Sequence, residues 1–219
     1  MPEQEIKALF SQYPEALYGF ADAAYSPYGE QYRSALVFAV PYGRQLTLEE
    51  YTEEAFDGGI QAARAVIERI VPRIGEILDR HQIAYWVPPV AQKDEIELLA
   101  PFSFKTAAVH AGLGWIGKND VLITSAYGPR VRLSAVLIDA GFAYGQRIEV
   151  SRCPADCTAC VDACPCHALK NHPWTINTPR DAIIDYHRCN RMRSADIKRL
   201  GRKNACGRCL AACPVGRNE

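Results

Sequence analysis

The chain reads as a mixed α/β (α+β) protein in two parts: an α/β domain over residues 1–150 and a small cysteine module over 151–219. Three observations predict this. Strand and helix signals alternate through the front part. All nine cysteines lie between Cys153 and Cys213. The charge changes sign near Val150: residues 1–150 carry 13 Lys and Arg against 19 Asp and Glu, whereas 151–219 carry 12 against 6. A formally neutral chain is therefore two oppositely charged parts with different tasks.

In the front part, Leu17 to Ala21 and Ser34 to Pro41 are short apolar runs that read as strands. Thr47 and Glu50 form a T-x-x-E capping box that opens a long amphipathic helix. Ile60, Ala63, Ile67, Ile70, Val71, Ile74, Ile77 and Leu78 follow helical spacing, and Pro72 is expected to kink or split that helix. Ala84 to Val87 reads as a third strand, ended by Pro88-Pro89. A short helix over Ser103 to His110 leads into the glycine segment Gly112 to Gly117. Val121 to Ser125 and Arg130 to Asp139 then read as strands joined through Tyr127-Gly128-Pro129.

At 219 residues, 48% hydrophobic and 23% charged, the composition excludes disorder, collagen and a disulfide-dependent miniprotein. The best apolar run, Ala35 to Val40, falls well short of the ~18 residues of a membrane helix. The N-terminal MPEQEIKALF lacks the apolar stretch of a secretory signal. The expectation is a cytoplasmic protein with no membrane partner.

The cysteines carry the chemistry. Cys153, Cys157, Cys160 and Cys164 form C-x3-C-x2-C-x3-C-P, and Cys206, Cys209 and Cys213 repeat a shorter C-x2-C-x3-C-P. This spacing is that of bacterial two-cluster ferredoxins, in which a compact turn delivers three thiolates to one [4Fe–4S] cluster and the last Cys reaches the other. Applying the exchange, cluster one takes Cys153, Cys157, Cys160 and Cys213. Cluster two takes Cys164, Cys206, Cys209 and, by elimination, Cys189, leaving Cys166 over. The alternative is one four-thiolate zinc site from Cys157, Cys160, Cys206 and Cys209. Zinc leaves both Cys-Pro repeats unexplained, and disulfides are disfavoured in a reducing cytosol.

Gly112, Gly114 and Gly117 match G-x-G-x-x-G, but the dinucleotide fingerprint needs a strand before it and a helix after it. Here the order is reversed, so nicotinamide binding is rejected. The glycines serve either close approach to a flat ligand or a tight helix-to-strand turn.

The segment AVHAGLGWIGKNDVLIT (Ala108 to Thr124), the paired cysteine motifs and Cys189 in YHRCN together resemble the epoxyqueuosine reductase family over roughly residues 30–216. Those are cobalamin-dependent, two-[4Fe–4S] enzymes related to reductive dehalogenases. The resemblance implies a nitroreductase-like sandwich followed by a ferredoxin-like double-cluster module. It also implies cobalamin as a second cofactor and the ligand exchange given above. Cofactor-binding candidates are then Gly112, Gly114, Trp115, Gly117, Lys118, Asn119, Arg130 and Arg132. The family's general acid precedes a Ser/Thr-Ala-Pro segment. Aligning Ala100-Pro101 with it puts Leu98 at the acid position, so the catalytic residue is unassigned, with Glu97 and His110 as candidates. The family's helical-repeat domain is not in this sequence, and Asn-Arg-Met-Arg follows Cys189.

Several residues keep two readings. If the two strands around Gly128 form a hairpin, Arg130 and Arg132 share one face, either an anion clamp or a solvated face. His110 is either a proton donor or a satisfied, partly buried histidine. Trp115 is a stacking residue or a packing anchor. Glu97 and Lys118 lie near a cofactor or on the surface, and Cys166 is a reserve ligand or a structural thiol. The basic stretch Arg188 to Arg208 suits docking of an acidic electron donor such as a flavodoxin or ferredoxin, cluster electrostatics, or tRNA phosphates. It lacks the aromatics of specific RNA readout. The functional expectation is an iron–sulfur oxidoreductase acting on a small molecule or modified nucleoside. The alternative is a non-catalytic electron-transfer or cobalamin-handling protein.

Overall fold

Alternating buried runs in the front part form a four-stranded sheet of order β1-β2-β6-β3 in the computed structural model, which describes residues 1–90, 96–201 and 205–217. β1 (Leu17–Asp22) pairs antiparallel with β2 (Ser34–Pro41) in the register Leu17↔Ala39 to Asp22↔Ser34. Every residue of β2 is buried, which explains a continuous apolar run in place of alternation. β3 (Tyr85–Trp86) pairs antiparallel with β6 (Val131–Ile138). Helix α1 (Pro2–Phe10) was not expected from the sequence; Pro2 opens it, and Ile6, Leu9 and Phe10 line its buried face at helical spacing. α3 (Phe104–His110) is capped by Ser103, whose hydroxyl accepts from the Thr106 N–H at 3.3 Å, and it contacts β1 and β2.

Three expectations are corrected. The Thr47–Glu50 box forms, with the Thr47 N–H donating to Glu50 at 3.1 Å and the Glu50 N–H to Thr47 at 3.3 Å, but it closes a turn. Helix α2 (Glu53–Arg80) opens instead at Thr52, whose Oγ1 accepts from the Ala55 N–H at 3.1 Å. α2 also continues as one helix through Pro72, so Pro72 does not split it. Pro72 lies on the exposed face, where water can satisfy the carbonyl it leaves without a donor. Finally, β5 (Leu122–Ile123) pairs with β4 (Trp115–Ile116), not with β6, so the expected hairpin is absent. Arg130 precedes β6 and does not share a strand face with Arg132.

The chain divides into two compact units. One holds 1–41, 63–113 and 132–147, and contains the four-stranded sheet apart from Val131. The other holds 42–62, 114–131 and 148–219. The cysteine-bearing unit thus also takes the β4–β5 hairpin and the opening of α2. Its short helices are α4 (Ala159–Asp162), α5 (Arg180–Ile183) and α7 (Arg208–Ala211). Its longest helix lying wholly within the unit is α6 (Tyr186–Leu200), capped by Asp185 at one end and by left-handed Gly201 at the other. No described helix is long and apolar enough to cross a membrane.

Candidate metal centre

The two Cys-Pro motifs build the same local structure twice. Thr158, before α4, has φ −116° and ψ 1°; Gly207, before α7, has φ −113° and ψ 16°. The Val161 N–H donates to Thr158 O at 2.8 Å, and the Leu210 N–H to Gly207 O at 2.9 Å. The Cys164 and Cys213 N–H groups then close onto Val161 O and Leu210 O at 3.1 and 3.3 Å. α4 and α7 are in contact, so the repeated turns present their thiols within one unit.

Cys153, Cys157, Cys160 and Cys213 line one cavity, together with Lys118, Asn119, Ile123, Pro154, Pro214 and Val215. Burial pushes the Cys160 thiol up to about 12, and Cys213, Cys153 and Cys157 push it further in the same direction. The other thiols gather around Cys164. Cys206 is raised by burial, then by Glu53, Cys189 and Cys164, against a backbone N–H at Arg208. Cys209 is raised well up by burial and by Cys206, Cys160, Cys189 and Cys164. Cys166 belongs to this second group, its Sγ 3.8 Å from that of Cys164. Burial raises Cys164, but backbone N–H groups of Ala168, Cys166 and Leu169 outweigh it and draw the thiol below its ordinary value. Ala168 N lies 3.3 Å from that sulfur. Burial and the Cys164 sulfur raise Cys166.

Thiols that raise one another's pKa call for a compensating positive charge, which a bound metal would supply by holding them as thiolates. Among the described residues, no three His, Cys, Asp or Glu side chains converge as ligands of a single ion. A cubane, which offers a separate iron to each thiolate, has no need of such convergence. Of the zinc quartet, Cys157 and Cys160 line the cavity and Cys206 and Cys209 do not, although Cys209 also feels Cys160. The donor sets therefore fit two clusters.

Two buried cations hold the thiol loops. Lys118, 4% exposed, donates from Nζ to the carbonyls of Pro154, Ala155 and Cys157 at 3.2, 2.9 and 3.0 Å. Arg130, 3% exposed, donates to Leu210 O, Cys213 O and Val215 O at 3.1, 2.9 and 2.6 Å and to Gln45 Oε1 at 3.1 Å. Neither reading of Arg130 made from the sequence survives this geometry. The guanidinium is not a solvated strand face, and four of its five N–H donors go to protein oxygens. Lys118 is likewise not a surface residue.

The glycine segment is filled by the chain itself. A Cβ at Gly114 would stand 2.1 Å from Ile123 O, so the glycine is required by the β4–β5 hairpin. Trp115 is buried, and its indole Nε1 and the Asn119 Oδ1 have no hydrogen-bond partner among the described residues. Asn119 Nδ2 donates to Cys209 O at 3.4 Å. Gly114 thus serves the β4–β5 hairpin, and Lys118, Asn119 and Arg130 bond to carbonyls of the cysteine loops. Gly112 has φ +75° in the other unit, and Arg132 is half-buried there.

His110 ends α3 stacked on Tyr25, with centroids 3.8 Å apart. Burial, then Arg147, lowers its pKa, with Asp22 opposing, so the imidazole is neutral at neutral pH. Glu97 is exposed, and Leu98 is half-buried with φ +51°.

Sequence reasoning missed Tyr51 and Glu53. The Cys206 N–H donates to Glu53 Oε2 at 2.9 Å, and the Gly207 N–H donates to Tyr51 Oη at 2.8 Å. Tyr51 in turn donates to Glu53 Oε1 at 2.7 Å. These contacts hold Cys206 at φ +57°, a conformation uncommon for a non-glycine residue. The separation of more than 150 residues left no local signal.

No family description matches the chain. It is 33% identical over 99 residues to an epoxyqueuosine reductase of Cyclobacterium marinum, covering 45% of this chain and 29% of that protein. It is 25% identical to a tetrachloroethene reductive dehalogenase of Desulfitobacterium hafniense, covering 100% of this chain and 41% of that one. The chain is a relative of the epoxyqueuosine reductases and reductive dehalogenases. A solved reductive dehalogenase, described in terms of B12-dependent dehalogenation, shares the fold with TM-score 0.71 at 21% identity, over 98% of this chain and 31% of that one. This relative of both groups spans less than half the length of the sequence relatives it matches.

Proposed function

We propose that the chain is an iron–sulfur reductase, with cluster one on Cys153, Cys157, Cys160 and Cys213 and cluster two on Cys164, Cys189, Cys206 and Cys209. The observation that carries this reading is the cavity that brings three thiols of one motif together with the last thiol of the other. The clusters would supply one-electron transfer. The chain's own part is positional. Lys118 and Arg130 fix the loops, backbone N–H groups at Ala168 and Val215 donate to ligand sulfurs, and Glu53 with Tyr51 sets the turn at Cys206. Likeness to the dehalogenase and reductase relatives supports reading the sheet unit as nitroreductase-like and the cysteine repeats as ferredoxin-like.

Cobalamin as the electron acceptor is supported by those relatives, and no step is derived through it. The basic face of α6, with Arg188, Arg191, Lys198 and Arg199 exposed, is read as the docking surface for an acidic flavodoxin- or ferredoxin-like donor. Arg202 and Lys203 of the same stretch lie outside the described residues. A small-molecule or modified-nucleoside substrate, tRNA contact and a cytoplasmic setting complete the proposal. The non-catalytic reading is favoured by Leu98 at the acid position and by the exposure of Glu97.

Anaerobic purification with iron, sulfide, zinc and cobalt analysis tests the assignment. Two clusters require roughly eight iron atoms per chain. Stoichiometric zinc in place of iron would refute them. Absence of cobalt after incubation with cobalamin would remove that acceptor. Substrate turnover by cobalamin-loaded protein would exclude the non-catalytic reading.

A further inference from the structure

Lys118 and Arg130 do more than the loop geometry needs. Each is an ordinarily charged side chain at most 4% exposed, and among the described residues neither has a carboxylate partner. Burying an uncompensated cation is costly, and carbonyl dipoles repay only part of that cost. The missing compensation lies beside them. Lys118 lines the cavity that holds Cys153, Cys157, Cys160 and Cys213, and Arg130 is bonded to the carbonyl of Cys213. A cubane on four thiolates is an anion whose negative charge grows by one on reduction, so a nearby buried cation favours the reduced state.

The second thiol group has a different charge environment. Glu53 stands against Cys206 and accepts its N–H. The cations near Cys189 are Arg193 and Arg180. Arg193 is half-buried and donates to Ala205 O, while Arg180 is 35% exposed at its side chain and paired with Asp120 at 3.1 Å. Exposure and the Asp120 carboxylate weaken Arg180, and partial exposure weakens Arg193.

We propose that Lys118, backed by Arg130, raises the reduction potential of cluster one and makes it the electron sink of the pair. An electron delivered by an external low-potential one-electron donor then leaves cluster two, oxidising it, and reduces cluster one. This inference rests on the two-cluster reading above and adds a direction to it.

The test is a potentiometric titration followed by EPR on cluster-loaded wild type, Lys118→Gln, Lys118→Met and Lys118→Arg. Wild type shows two midpoints. In the Gln and Met variants one midpoint falls while the other stays. At the wild-type midpoint of the affected cluster, its oxidised-to-reduced ratio rises about tenfold, equivalent to about 59 mV for a one-electron couple. The Arg variant restores the wild-type value. Loss of iron from both uncharged variants but not from the Arg variant would also support the charge requirement. Unchanged midpoints in an iron-replete Gln or Met variant, equal movement of both midpoints, or loss of iron from all three variants would overturn it. Wild-type protein lacking [4Fe–4S] signals would instead refute the cluster reading itself.

Discussion

Cys164 and Cys166 show how little separates a ligand from a bystander. Their sulfurs are 3.8 Å apart, yet backbone N–H groups draw Cys164 below its ordinary value while burial and the Cys164 sulfur raise Cys166. A thiolate served by N–H donors is a good iron ligand, and a thiol beside it tunes that ligand. Cys189, the eighth proposed ligand, is half-buried and feels both sulfurs. Cys189→Ala is expected to lower bound iron by about half, and Cys166→Ala to leave it unchanged, as read by iron analysis of anaerobically purified protein. The opposite pattern would exchange their roles. The cysteine spacing made seven of the proposed ligands legible. Lys118 and Arg130 were picked out as cofactor-binding candidates, but their hold on the thiol loops was not legible, because a charged residue in a strand-and-turn segment carries no local sign that distant carbonyls will bury it.

At the scale of elements, helix starts decide what the site can hold. α6 positions Cys189 in its first turn, and Asp185 caps it by accepting the Arg188 N–H at 2.8 Å. Asp185→Ala is expected to cost about 1 kcal/mol, seen as a lower Tm and faster loss of iron to a chelator. In the other unit, α1 is tied to the end of α2: Glu5 meets His81 at 2.5 Å and Arg80 at 2.6 Å. The hydrogen bond from His81, then that from Arg80, holds the Glu5 carboxyl at about 2, against an ordinary 4.5. A depressed carboxylate stabilises the fold above its unfolded value and ceases to do so as pH falls from 4.5 toward 2. Glu5→Gln should therefore lower Tm slightly at pH 7, with the gap from wild type closing across that acid window. The strands β1 and β2 were readable as apolar runs between turn residues. The capping box misled because its hydrogen bonds form equally well in an isolated turn, and the pairing of β5 with β4 depends on how Gly114 lets Ile123 approach.

For the whole molecule, the change of charge near Val150 marks the cysteine region but not the limits of its unit. That unit draws in residues 42–62 and 114–131, which supply Tyr51, Glu53, Lys118 and Arg130 to the thiol loops. Such long-range donations leave no periodicity in the sequence. The resemblance carried by AGLGWIGKN pointed to a cofactor surface, and in the folded chain Lys118 and Asn119 of that segment bond to carbonyls of the cysteine loops. The central claim is that two cubanes share ligands across the repeated motifs, and EPR spin quantification of the anaerobically reduced protein tests it most directly. The account predicts about two [4Fe–4S]⁺ spins per chain with mutual magnetic broadening, falling to about one in Cys189→Ala. An EPR-silent protein holding stoichiometric zinc would contradict it.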